Sequence, residues 1–200
     1  MRFARDAFLF VIPLLVLASI ALLLQWWVLS LILLLLAGFV LFFFRDPERT
    51  IPADSDAIVS PADGKVIRVD PLESGTRISI FLSVFNVHVN RAPVAGRIER
   101  CIHKPGRFLP AFDDRASVEN EQLIFQIGEI SFALIAGIVA RRIIPWRKVG
   151  DRVEKGDRIA LIRFGSRADL VIPDGAQLNV TAGDRVRAGT TVLTRWSQAK

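Results

Sequence analysis

Tyrosine is missing from all 200 residues, and cysteine and methionine occur once each. One thiol, Cys101, permits no internal disulfide, so the chain is no disulfide-stapled secreted domain and fits a reducing compartment. Histidine is almost as scarce, with only His88 and His103. Two separated histidines and one cysteine give no metal-ligand spacing, and no metal site is expected. The basic residues are scattered and no row of base-stacking aromatics accompanies them, which argues against nucleic acid as a partner.

Charge is absent where apolarity is concentrated. Residues 7–44 hold no charged side chain in 38 positions, whereas residues 45–200 hold 24 of the 26 Lys/Arg and 19 of the 20 Asp/Glu, a net of +5. This division excludes both a plain soluble globule and a disordered chain. With a pI near 10.4 for the whole chain, the basic later part favours an anionic partner, and beside an apolar segment acidic lipid is preferred. Its 156 residues suit one compact domain, residues 45–200.

A membrane core about 30 Å thick is crossed by roughly 20 apolar helical residues. The stretch from Ala7 to Phe44 is broken at Gln25-Trp26-Trp27, where indoles suit an interface, and it predicts helices at about 8–24 and 28–44. Residues 1–44 therefore read as an N-terminal hydrophobic helical hairpin, a membrane anchor; a re-entrant pair or one long tilted helix satisfies the same run. Arg2 and Arg5 before it and Arg45 and Arg49 after it favour both ends on the cytoplasmic face. A cleaved signal peptide is disfavoured, because the run far exceeds a signal core and no small-residue cleavage site ends it.

After Pro52, short apolar runs alternate with Gly, Pro and Asp turns, predicting strands at 57–60, 64–69, 76–82, 86–91, 96–102, 122–128, 131–138, 158–163, 168–172 and 190–195. A helical turn is expected around 114–120. The class is mainly β, a compact sandwich or barrel. Val149-Gly150-Asp151-Arg152-Val153-Glu154-Lys155-Gly156-Asp157 recurs 33 residues later as Ala182-Gly183-Asp184-Arg185-Val186-Arg187-Ala188-Gly189-Thr190, which predicts paired hairpins with quasi-two-fold symmetry. The repeat resembles the barrel-sandwich hybrid fold of lipoyl and biotinyl carrier domains. Between its copies, however, stands Phe164-Gly165-Ser166-Arg167 rather than the lysine such carriers modify.

Three constellations carry candidate chemistry: Ser60-Pro61-Ala62-Asp63-Gly64, Phe85-Asn86-Val87-His88-Val89-Asn90-Arg91-Ala92-Pro93, and the Phe164–Arg167 stretch. Singly, Asp63-Gly64 is an ordinary turn dipeptide and Gly165-Ser166 a common loop pair. If residues 84–90 are extended, Asn86, His88 and Asn90 share one face, as they also would on a solvent-facing edge. His88 is suited to proton transfer near neutrality. His103, before Lys104-Pro105-Gly106, reads as a turn residue.

Taken in order, from Phe43-Phe44-Arg45-Asp46-Pro47-Glu48-Arg49 through the other motifs to Phe164–Arg167, these stretches resemble the phosphatidylserine decarboxylase family, in particular its short form, over residues 43–175. The resemblance implies a proenzyme that cuts itself between Gly165 and Ser166, leaving fragments of 165 and 35 residues that stay together as a heterodimer. It implies attack of the Ser166 hydroxyl on the preceding carbonyl, β-elimination of the ester to dehydroalanine, and hydrolysis to a pyruvoyl group and ammonia. The pyruvoyl group is then the implied cofactor. It would form a Schiff base with phosphatidylserine and act as electron sink for loss of carbon dioxide, giving phosphatidylethanolamine. Activating the hydroxyl requires a base and a carboxylate to orient it, and His88 and Asp63 are the available candidates. Larger members carry two histidines in the middle motif; here Arg91 stands at the second position, so self-cleavage by His88, by Asp63 or by backbone strain all remain open. Asn86, Asn90 and Arg91 are candidates for holding the headgroup's phosphate or carboxylate. The rival reading is a membrane-tethered lipoyl-like adaptor without catalysis, which leaves the Ser60–Gly64 and His88–Pro93 motifs unexplained. Higher assembly and acyl-chain preference are not legible.

Overall fold

Alternating apolar residues build the strands of this protein, and the computed structural model describes residues 2–110, 113, 115–137, 142–163 and 166–196. The chain divides into two units, residues 1–48 and 49–200.

In the first unit, β1 (Arg2–Phe3) pairs antiparallel with β2 (Arg45–Asp46), and between them lie α1 (Ala7–Leu23) and α2 (Trp27–Phe43), each of 17 residues. Gln25 breaks the run by adopting a left-handed φ of 62°, so one continuous tilted helix is not what forms. Small residues make the helix contact: Ala7, Ala18, Ala21 and Ala37 are buried, and Ser30 Oγ donates to the Ala18 carbonyl at 3.0 Å. Leu9, Leu23, Trp27, Val28 and Leu35 are exposed around the outside. No helix among the described residues is long and apolar enough to cross a membrane.

The second unit is mainly β. Its strands are β3 (Ala57–Val59), β4 (Gly64–Leu72), β5 (Gly75–Leu82), β6 (Val89–Arg91), β7 (Gly96–Lys104), β8 (Gln122–Ile127), β9 (Ile130–Ala136), β10 (Arg142–Pro145), β11 (Arg152–Val153), β12 (Arg158–Arg163), β13 (Ser166–Ile172), β14 (Gln177–Leu178), β15 (Arg185–Val186) and β16 (Val192–Arg195), with one helical turn, α3 (Ala116–Glu119). An eight-stranded sheet runs β11-β7-β8-β9-β13-β5-β4-β15, and two three-stranded sheets run β10-β12-β6 and β14-β16-β3. Ile78, Ile80 and Leu82 of β5, Leu123 and Phe125 of β8, Phe132 and Leu134 of β9, and Ala168 and Leu170 of β13 share one buried core. Phe125 and Phe132, directly paired, stack with ring centroids 5.2 Å apart.

The architecture is pseudo-two-fold, and the repeat extends beyond the two Gly-Asp-Arg-Val turns. β4 and β7 are both nine residues long and begin 32 residues apart, each with a bulge at the same place, Val66/Arg68 and Ile98/Arg100. β3 and β6 match likewise, and backbone bonds cross between them reciprocally: Val59 N–H donates to Pro93 O at 3.0 Å and Arg91 N–H to Pro61 O at 2.9 Å. The turns dock equivalently, with Gly189 N–H on Ser60 O and Gly156 N–H on Ala92 O, at 2.8 and 2.9 Å. The two copies do not pair with each other as hairpins. β11 pairs with β7 and β15 with β4, because each turn is captured by its own Pro-x-x-Gly strand at an opposite edge of the large sheet. β9 and β13 form the central pair.

One expected strand is shorter and another strand was not expected. Residues 84–86 form a turn and only Val89–Arg91 is strand, because Asn86 N–H bonds back to Ser83 O at 2.9 Å and withdraws that stretch from any ladder. The segment Arg142–Pro145, unremarkable as sequence, is a strand through its pairing with β12.

Gly64 shows how tightly the pieces meet. A Cβ there would stand 2.2 Å from the Phe81 carbonyl oxygen of the neighbouring strand, so Gly64→Ala is expected to destabilise the second unit by about 2 kcal/mol or more. A lowered denaturation midpoint checks this; an unchanged midpoint contradicts it.

Candidate active site

Leu82 ends β5, Ala136 ends β9 and Ser166 begins β13 side by side in the large sheet, and the chain next to each belongs to the β10-β12-β6 sheet. Ser166 opens β13 in the middle of the large sheet, directly between Leu82 of β5 and Ala136 of β9. It is fully buried, and its hydroxyl has no hydrogen-bond partner among the described residues. A buried hydroxyl without a partner costs about 1–3 kcal/mol. Phe164 and Gly165 lie outside the described residues.

His88 is fully buried on the last residue before β6. Its carbonyl accepts from Ile162 N–H at 3.2 Å, so its backbone is locked to β12 near the end that leads to Ser166. Its Nδ1 lies 3.0 Å from the Asn86 carbonyl oxygen. A carbonyl only accepts, so Nδ1 carries a proton in this contact, which in a neutral ring leaves the lone pair on Nε2. The Asn86 side chain closes the turn that presents this carbonyl: its Oδ1 accepts from Ser83 N–H at 2.9 Å and Ser83 Oγ–H at 2.8 Å.

Asp63 is drawn elsewhere. Arg49 Nη2 reaches both its oxygens, at 3.0 and 2.8 Å, and Ala188 N–H donates to Oδ1 at 2.8 Å. Among the described residues it makes no hydrogen bond to His88 or Ser166. It instead fixes the turn whose Pro61 carbonyl accepts from Arg91 N–H and, at 3.4 Å, from Asn90 Nδ2. Asn90 is fully buried with no partner for Oδ1 among the described residues, and Arg91 Nη1 donates to Gly156 O at 2.8 Å. Asn90 and Arg91 are thus knitted into the strand junction, and the expected shared face of Asn86, His88 and Asn90 is lost to the 84–86 turn.

Arg167 was not singled out by sequence reasoning. It is the largest fully buried side chain, with Nε 2.6 Å from Asp169 Oδ1 and Nη2 donating to Ser79 Oγ at 2.7 Å. Strand alternation sets it on the face of β13 opposite Ser166. The signal available was an Arg and an Asp two residues apart inside an otherwise apolar strand. Burial pushes the Cys101 thiol above its ordinary pKa, so little thiolate exists there for nucleophilic chemistry. No group of three or more metal-ligating side chains occurs among the described residues.

Residues 36–194 match the family model described as phosphatidylserine decarboxylase. Relatives named phosphatidylserine decarboxylase proenzyme include that of Desulfotalea psychrophila, 45% identical over 178 residues and 83% of both chains. The Geotalea uraniireducens protein is 45% identical over 86% of this chain and 85% of its own, and that of Nitratidesulfovibrio vulgaris 46% over 86% and 84%.

Removing the Asp63 carboxylate strands a cation, since both partners of the Arg49 pair are only 11% exposed. Asp63→Ala is expected to destabilise the fold by about 3–5 kcal/mol, read by denaturant unfolding, with Asp63→Ala/Arg49→Met recovering much of the loss. A single variant as stable as the parent would contradict this account.

Proposed function

The chain belongs to the phosphatidylserine decarboxylase family and is a decarboxylase made as a proenzyme, and we propose that it converts phosphatidylserine to phosphatidylethanolamine after cutting itself between Gly165 and Ser166. The observation that carries the reading is Ser166 itself, buried with its hydroxyl unpartnered among the described residues, where β5 and β9 end and β13 begins. A serine awaiting conversion to a pyruvoyl group fits such a place: once the hydroxyl is gone, no hydrogen bond has been lost. The pyruvoyl group, when formed, supplies an electron-accepting carbonyl to which the substrate amine joins.

The residues around it bind, orient and move protons. In self-cleavage, His88 Nε2 takes the hydroxyl proton of Ser166 while Nδ1–H stays on the Asn86 carbonyl, which fixes the tautomer and the ring plane. In turnover the same Nε2, reprotonated from solvent in each cycle, donates the proton that replaces the departing carboxylate. Asp63 is a positioning residue: through the 60–64 turn and the Pro61 carbonyl it holds β6, and with it His88, in register. Asn90, with its Oδ1 unpartnered among the described residues, is the better placed of the polar pair on β6 to turn toward a substrate group.

The two fragments remain one folded body, because β12 and β13 on either side of the cut are held in different sheets by separate partners. Residues 1–44 are the proposed membrane attachment. Their exposed leucines and tryptophans give an apolar surface, and the arginines at both ends suit the cytoplasmic face.

Intact mass of the purified protein tests the reading. Fragments of 165 and 35 residues are expected, the smaller blocked at its first residue, whereas Ser166→Ala stays whole. A wild-type chain that remains uncut on incubation would sink it. His88→Ala is expected to lose about 100-fold or more in decarboxylation. Full turnover by processed His88→Ala protein would remove His88 from the mechanism.

A further inference from the structure

A cavity of about 550 Å³ lies beside the Ser166 junction, lined by His103, Glu121, Leu123, Arg142, Ile143 and Pro145. Strand register ties it to the site from two directions. Ala136 N–H bonds to the Glu121 carbonyl at 2.9 Å and Ala136 pairs with Ser166, so Glu121, Ala136 and Ser166 form one cross-strand row. Two strand spacings, about 10 Å, separate its ends, and the residue between them is only an alanine. In the smaller sheet, Ile143 pairs with Ile162, whose N–H bonds to the His88 carbonyl, giving a second row from the cavity to His88.

The charged lining is not self-satisfied. Glu121, with a side chain 15% exposed, pairs with His103 Nε2 at 3.3 Å. Arg142 is exposed and makes no hydrogen bond or ion pair among the described residues. Its direct cross-strand partner is Arg163, three residues before Ser166. A guanidinium with five donors at the mouth of a cavity, beside a reacting centre, is the group that binds a phosphodiester.

Resting on the decarboxylase reading, we propose that this cavity seats the phosphodiester of the phospholipid headgroup and that Arg142 is its anion-binding residue. The phosphate is a short chain of bonds from the amine that must reach Ser166, so an anchor in this cavity, on the strand residue paired with Arg163, sets where the amine falls. The His103–Glu121 pair forms another part of its lining. Asn86 and Arg91 are tied into turn and junction, and the open atom of Asn90 is an acceptor that does not suit an anion, which leaves this role to β10.

Arg142→Gln is expected to raise KM for phosphatidylserine in detergent mixed micelles about tenfold, with kcat changed far less and with Arg142→Lys restoring part of the loss. Normal self-cleavage of the variant shows that its fold is intact. A KM equal to that of the parent overturns the proposal. Titration of the uncut Ser166→Ala protein with glycerophosphoserine reads the same site without processing or turnover. Binding should weaken about tenfold when Arg142→Gln is added, and unchanged binding also overturns it. A wild-type protein that neither cuts itself nor consumes phosphatidylserine defeats the functional reading instead, and the titration still decides the cavity.

Discussion

The exchange of backbone hydrogen bonds between the Val59–Pro61 and Arg91–Pro93 segments is the constraint on which the second unit turns. Each segment gives an N–H to the other's proline carbonyl, and each proline lacks the donor that would extend its own ladder. The strands therefore end there, cross, and restart at Gly64 and Gly96 in the large sheet. The bulges, the edge turns and the two small sheets then follow in duplicate. Backbone bonding, which is indifferent to side-chain identity, carries the symmetry.

Side chains break it, and the candidate chemistry lies where they do. Asp63 in one half corresponds to Ala95 in the other, so only one copy has a carboxylate to receive Arg49 and the Ala188 N–H. His88 corresponds to Asp56, which is held in a surface ion pair with Arg195 at 3.6 Å rather than in the interior. β13, in the central pair, carries Ser166 on one face and the buried Arg167 and Asp169 on the other. An ion pair that deep gains little net stability, because desolvation offsets most of the attraction. It does fix strand position, since any slip of β13 against β5 would pull Arg167 from Ser79, with which it is hydrogen-bonded, and leave a charge uncompensated in the core.

Legibility in the sequence followed the range of the interactions. The helices and the long strands were readable because the apolar run and the alternation are local: 158–163 is β12 to the residue, and 76–82 and 122–128 differ from β5 and β8 by one. The Gly-Asp-Arg-Val repeat was visible because its residues are identical, whereas Pro61–Arg68 and Pro93–Arg100 share little beyond proline, glycine and spacing. Ser166, His88 and Asp63 stood out as motifs, but their partners did not. Asp63 is fastened from 14 and 125 residues away. Neither separation leaves a mark on local pattern, and so an orienting role through direct contact with His88 was the natural expectation. The alternation of 84–90 misled because Asn86 can cap a turn as readily as line a strand, and here the side-chain bonds to Ser83 decide it.

A junction where strands leave one sheet for another is a poor place for a core and a good one for chemistry. The ladder is interrupted, so backbone carbonyls such as that of Asn86 become available to orient a side chain. Small residues are tolerated beside the reacting position, as Ala136 is beside Ser166. A cut at such a point would fall between strands of different sheets rather than within one. A self-cutting serine in the middle of β13 would divide a strand that two neighbours depend on. Ser166 instead stands at the first residue of β13, the end of its ladder with β5 and β9.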